Sequence, residues 1–123
     1  MNKEGENLQF KFDNPKVEKI ITDTKVLQKK VGLEIGKSIK KRLNHLEAAD
    51  NFNEYLTRIG LGNPHPLSGN LDRCYSISVT TNFRLVVEPE SDSLDMESLK
   101  VCENIIIKGV LEYHDGKNEW IIP

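Results

Sequence analysis

At 123 residues, with 37% hydrophobic and 29% charged side chains, the chain has the size and composition of one globular domain with its own apolar core. No apolar run approaches the roughly 20 residues of a membrane helix, and the opening Met1-Asn2-Lys3-Glu4-Gly5-Glu6-Asn7 lacks the apolar centre of a secretion signal. The expectation is a cytoplasmic protein with no membrane partner, whose net charge of −2 conceals a strong segregation of charge.

Leu8, Phe10 and Phe12 alternate with Gln9 and Lys11, the pattern of a short half-buried strand. Asn14-Pro15 then reads as an N-cap followed by proline at the first helical position. Val17, Ile20, Ile21, Thr24, Leu27 and Val31 recur at helical spacing and predict one amphipathic helix, broken by Gly32. Ile35, Ile39, Leu43 and Leu46 predict a second helix, with its lysines outward, so that the two form an antiparallel hairpin. Residues 25–47 carry seven basic side chains against two acidic ones. Asp50 is placed to cap a short third helix whose Phe52, Tyr55, Leu56 and Ile59 face inward.

Gly60 to Asn70, rich in glycine and proline, reads as a loop and holds His65. Tyr75-Ser76-Ile77-Ser78-Val79 and Phe83-Arg84-Leu85-Val86-Val87 predict a hairpin. A loop of Thr80-Thr81-Asn82 pairs Val79 with Phe83, Ile77 with Leu85 and Tyr75 with Val87, which puts all six apolar side chains on one face. Ser76, Ser78, Arg84 and Val86 then share the other, and Asn82 suits the left-handed position of such a loop. Residues 88–103, with six acids against one base, form an acidic connection. Asn104 to Tyr113 is the last main strand, and Glu119-Trp120-Ile121-Ile122 adds an edge strand. Simple alternation gives Ile105, Ile107 and Leu111 one face and Lys108, Glu112 and His114 the other.

The order strand, helical hairpin, antiparallel strands defines an α+β fold, with the N-terminal strand and helices packed on one face of a small antiparallel-rich sheet and the other face open. Arg84 and His114 project together from that open face in this reading. Histidine titrates near neutrality and serves as either base or acid, and a guanidinium binds a phosphate through two donors. Arg84, His114 and His65 therefore fit phosphate chemistry. The plainer alternatives are that His65 is an exposed loop residue, that Arg84 pairs with Glu88 or Glu112, and that the basic run is a solvated helix face. Cys74 and Cys102 have no Cys or His partner at metal-ligand spacing and read as free thiols, so neither metal nor cofactor is expected.

Several of these segments occur in one family. Arg42-Leu43-Asn44-His45-Leu46-Glu47-Ala48-Ala49 closes the lysine-rich helix and is followed by His65-Pro66-Leu67-Ser68-Gly69. Tyr75-Ser76-Ile77-Ser78-Val79 leads to Phe83-Arg84-Leu85-Val86, and Glu112-Tyr113-His114 ends the last strand. In this order they resemble the RelE/ParE superfamily of bacterial toxins, most of all its HigB-like "killer protein" branch, over residues 8–114. The resemblance implies a single RelE-like domain over 1–123, with 1–7 a disordered tail and 88–103 an acidic connecting loop.

It also implies the toxin of a type II toxin–antitoxin pair, a metal-independent endoribonuclease that cleaves mRNA on the ribosome by 2′-hydroxyl attack. The implied partners are ribosome, mRNA and a helix-turn-helix antitoxin, with a heterotetramer as one assembly. Arg84 becomes the phosphate clamp, His65 and His114 the proton-handling pair, and Lys37, Lys40, Lys41, Arg73 and Tyr113 the RNA-binding residues. Tyr113 takes that role where a strand-end twist exposes it for stacking. Leu71 stands where related toxins carry Lys or Arg, with Arg73 as the substitute. Two other readings stay open: a catalytically silent protein-binding module, favoured by Leu71 and the acidic balance, and a ParE-like gyrase poison.

Overall fold

The computed structural model describes residues 7–123, so all but Asn7 of the expected N-terminal tail lies outside the described residues. Strand β1 (Gln9–Phe12) leads into helices α1 (Pro15–Thr22), α2 (Thr24–Val31), α3 (Leu33–Glu47) and α4 (Phe52–Thr57). There follow β2 (His65–Pro66), a 3-10 turn (Gly69–Leu71), β3 (Tyr75–Ser78), β4 (Phe83–Pro89), α5 (Met96–Lys100), β5 (Asn104–His114) and β6 (Lys117–Ile122). The sheet order is β1-β5-β4-β3-β2, with β6 also pairing β5. Among the described residues, only the β1–β5 pair is parallel. This is the expected α+β arrangement, with the N-terminal strand and helical hairpin serving a mostly antiparallel sheet.

The caps explain the helix boundaries. Asn14 Oδ1 accepts from the backbone N–H groups of Lys16 and Val17, both at 3.0 Å, with Pro15 at the first helical position. The single helix expected through Val31 is two, because Asp23 turns extended and its carboxylate accepts from the N–H groups of Lys25 and Val26. A strong cap inside a periodic pattern ends one helix and starts the next. The cap of α4 is Asn51 rather than Asp50, with Asn51 Oδ1 accepting from Glu54 N–H at 2.8 Å. That helix stops at Thr57, which leaves Ile59 outside the core at 98% exposure.

Val17, Ile21, Leu27, Ile39, Leu46, Phe52 and Tyr55 meet Ile77, Leu85, Val87, Ile105, Ile107 and Val110 in one core on one side of the sheet. Burial of each such side chain contributes about 1.5–3 kcal/mol. The β3–β4 register is the expected one, with Tyr75 opposite Val87, Ile77 opposite Leu85, and Val79 N–H donating to the Phe83 carbonyl. One-sided burial selects it. Asn82 does not take the left-handed conformation, which among described non-glycine residues falls to Asn63 and Asp115. The loop is instead closed by the Arg84 side chain, as described below.

The other face is not fully open. Cys74, Val86 and Leu111 form a second, smaller buried cluster there, against which Leu67 and Leu71 of the glycine-rich segment pack. The acidic connection also holds structure: Pro89 ends β4, and Asp95 caps α5 by accepting from Ser98 N–H.

Strand β5 departs from simple alternation. Val86 pairs with Gly109 but Val87 pairs with Ile107, so Lys108 is an extra residue, a β-bulge. Beyond it the faces exchange. Val110 joins the main core, while Leu111 lies on the other side with Val86. Gly109 (φ 147°) sits where the β1 edge of β5 ends and β6 takes over, and a Cβ there would lie 2.0 Å from the Ile122 carbonyl oxygen. Asp115 and Gly116, both at positive φ, then turn the chain into β6.

Candidate functional site

Proline on both sides restricts His65, and β2 places it opposite Ser76 on the edge of β3. Ser76 is followed across the sheet by Val86, and Arg84 lies opposite Leu111. Alternation puts these side chains on the face away from the helices. His65, Ser76, Arg84 and Leu111 line a pocket of about 250 Å³ together with Leu67, Tyr113 and Asn118. Tyr113 reaches it because the Lys108 bulge has exchanged the faces, and it remains 46% exposed.

The same exchange removes His114. Its neighbour Tyr113 faces the pocket, so His114 projects from the opposite face, where its Nε2 is 3.5 Å from Glu119 Oε1 and its Nδ1 is 3.7 Å from Asp115 Oδ2. The expectation that Arg84 and His114 share a face is thus corrected, and the pocket pairs Arg84 with His65 and Tyr113 instead. Glu112 likewise sits opposite Phe83 on the core side.

Arg84 is anchored but not neutralised. Its Nη1 is shared among the carbonyls of Thr80 (2.9 Å), Thr81 (2.9 Å) and Phe83 (3.2 Å), which closes the β3–β4 loop. Its Nε and Nη2 donate to nothing among the described residues, and it makes no ion pair there. Glu88 is 3.5 Å from Lys108 Nζ, which also donates to Asp13 at 2.9 Å, and Glu90 pairs with Lys11 at 2.8 Å. The hydrogen bond from Lys108 to Asp13 raises the lysine's pKa above its ordinary value. The acidic end of β4 therefore has cations of its own, with Glu88 four residues, about 13 Å, along the strand from Arg84.

The expected RNA contacts other than Tyr113 lie elsewhere. Arg73 hydrogen-bonds the Ser91 carbonyl, beyond the far end of β4. Leu71 packs in the small cluster rather than lining the pocket. Lys37, Lys40 and Lys41 line a groove between α2 and α3, across the sheet. Near them, Arg42 Nε donates to the Ser78 carbonyl at 2.8 Å and its Nη1 lies 3.3 Å from His45 Nδ1. Burial, then Arg42, Lys41 and Arg58, hold the His45 pKa below its ordinary value.

Sequence reasoning misses Ser76 as a site residue, although its position on the Arg84 face is legible from alternation. Asn118 carries no signal, because its place depends on the Asp115-Gly116 turn. Among the described residues no group of three or more His, Cys, Asp or Glu is placed to hold a metal ion. No described helix is long and apolar enough to cross a membrane.

No protein-family model matches this sequence, and no curated protein matches it. Among solved structures it is similar to one described as the YoeB dimer from Staphylococcus aureus. That likeness has a TM-score of 0.52 at 20% identity and covers 88% of this chain and 98% of the other. At this identity the likeness is one of fold.

Proposed function

We propose that the chain is the toxin of a type II toxin–antitoxin module and a ribosome-dependent, metal-independent mRNA endoribonuclease. The observation that carries this reading is Arg84, an arginine with no carboxylate partner among the described residues, facing a pocket that also holds His65, Ser76 and Tyr113. The sequence resemblance to the RelE/ParE toxins, and the fold similar to that of the YoeB structure, support it. The HigB-like branch, an antitoxin with a helix-turn-helix and a heterotetramer belong to the same proposal.

In the reaction the 2′-hydroxyl oxygen attacks the adjacent phosphorus and the bond to the 5′-oxygen breaks. The products are a 2′,3′-cyclic phosphate and a 5′-hydroxyl. The attacking hydroxyl loses a proton and the leaving oxygen gains one, so no external reagent is consumed. Arg84 offers Nε and Nη2 to the phosphate as negative charge builds on it. His65 is the histidine lining the pocket, and its imidazole handles one of the protons. The Tyr113 ring offers a base a surface to stack on, and its hydroxyl is a second proton carrier.

The silent binding module is the reading to exclude, and it too has an observation in its favour: Leu71 is used for packing where related toxins carry a cation. The test is to map mRNA 5′ ends in bacteria after induction of the wild-type chain and of Arg84→Ala, with folding of both checked by circular dichroism. New cuts within translated messages, lost in the variant, are expected. Unchanged messages with folded wild-type protein present would overturn the nuclease.

A further inference from the structure

Trp120 is the chain's single tryptophan and stands 44% exposed on β6. It belongs to neither apolar cluster and stacks on no other ring among the described residues. Leaving so large an apolar ring in water gains nothing for folding. Strand pairing sets its direction. Leu111 lies opposite Trp120 and Tyr113 opposite Asn118, with no interruption between them. Asn118 lines the Arg84 pocket, so Trp120, two residues and about 7 Å along β6, projects from the same face.

There the ring borders a second cavity of about 330 Å³, lined by Asp13, Asn14, Lys108, Trp120 and Pro123. The β5 bulge and the end of β1 bring a cation and a carboxylate together beside it. Lys108 Nζ donates to Asp13 Oδ1 at 2.9 Å, while Asp13 Oδ2 accepts from nothing among the described residues. Lys108 also lies 3.5 Å from Glu88 Oε1, so it has no charge to spare for a phosphate. An ammonium or guanidinium ligand would have to displace that same lysine from Asp13. A nucleobase needs neither, because it stacks on the indole and turns its polar edge to the Lys108–Asp13 pair. Guanine fits best: its Watson–Crick edge offers two N–H donors to a carboxylate and one carbonyl oxygen to an ammonium. We propose that Trp120, Asp13 and Lys108 form a guanine subsite, so that single-stranded RNA held at Arg84 crosses β5 onto β6. This rests on the reading of the Arg84 face as an RNA surface and adds a base preference to it.

The probes are uridine hexanucleotides carrying one guanosine, one adenosine or neither, labelled for anisotropy, with Trp120 emission as the direct reporter. On the full chain the guanosine hexamer should quench Trp120 and bind about tenfold more tightly than the all-uridine one. Trp120→Ala should weaken its binding about tenfold and Trp120→Phe less, with folding of each checked by circular dichroism. Asp13→Asn should remove the preference for guanosine, whereas Arg84→Ala should weaken every hexamer and keep it. Equal binding of the three hexamers, unchanged Trp120 emission, or indifference to Trp120→Ala would overturn the subsite. So would an arginine-rich peptide that quenches Trp120 and binds more tightly than RNA, which would make the ring a cation site. Guanosine preference in a protein that cuts no message would support the subsite and remove only the nuclease. Cleavage by a protein whose Trp120 no hexamer quenches would overturn the subsite alone.

Discussion

Arg84 keeps its charge available because the carboxylates on its own strand are engaged elsewhere, Glu88 with Lys108 and the following Glu90 with Lys11. Its alternative, pairing with Glu88 or Glu112, fails for two reasons: Glu88 lies toward the other end of β4, and the bulge has carried Glu112 to the other face. The two neighbours Tyr113 and His114 then make the sharpest residue-level contrast. In a reconstituted translation reaction, His65→Ala should slow cleavage about 10²- to 10⁴-fold, the range for loss of a positioned acid or base. Tyr113→Ala should cost about 1–3 kcal/mol of RNA binding through lost stacking. His114→Ala should leave cleavage near wild type. If His114→Ala abolished cleavage in a folded protein while Tyr113→Ala did not, the reacting groups would lie on the face opposite the pocket.

At the scale of elements, β5 decides the site. Its apolar residues are visible in the sequence, but Ile105, Ile107, Val110 and Leu111 do not keep one spacing of two. Gly109 inside that run is the mark of a bulge, and both signals stand in the order of the residues themselves. The strand and a break in it are legible, whereas the position of the extra residue, Lys108, and so the point where the faces exchange, is fixed by pairing with β4. The Asp115-Gly116 pair is likewise a readable hairpin turn. Gly109 is the position that both strands depend on. Gly109→Ala puts a methyl against the Ile122 carbonyl, and should destabilise the fold by about 2–3 kcal/mol, or prevent β6 from docking, as measured by urea denaturation. An unchanged midpoint would mean β6 yields without cost.

The whole molecule is two-sided. The helical face carries the lysines and the other face the Arg84 pocket, while the acidic residues of β4 and its extension gather at the end where Lys11, Lys108 and Arg73 lie. Arg73→Ala should therefore leave RNA affinity and its salt dependence unchanged in filter binding, whereas Arg84→Ala should reduce both. A large effect of Arg73 would require RNA to run the full length of the sheet. The fold class, the hairpin register and the placing of Arg84 opposite the apolar face follow from the order of residues alone, because each rests on local periodicity and on the penalty for exposing an apolar face. Which histidine accompanies Arg84, where the lysines stand and what Leu71 does are settled by the folded chain. Those depend on a bulge in β5, on the two-residue pairing of β2 and on which side of the sheet the helices occupy, and each is fixed by contacts between residues far apart in the chain.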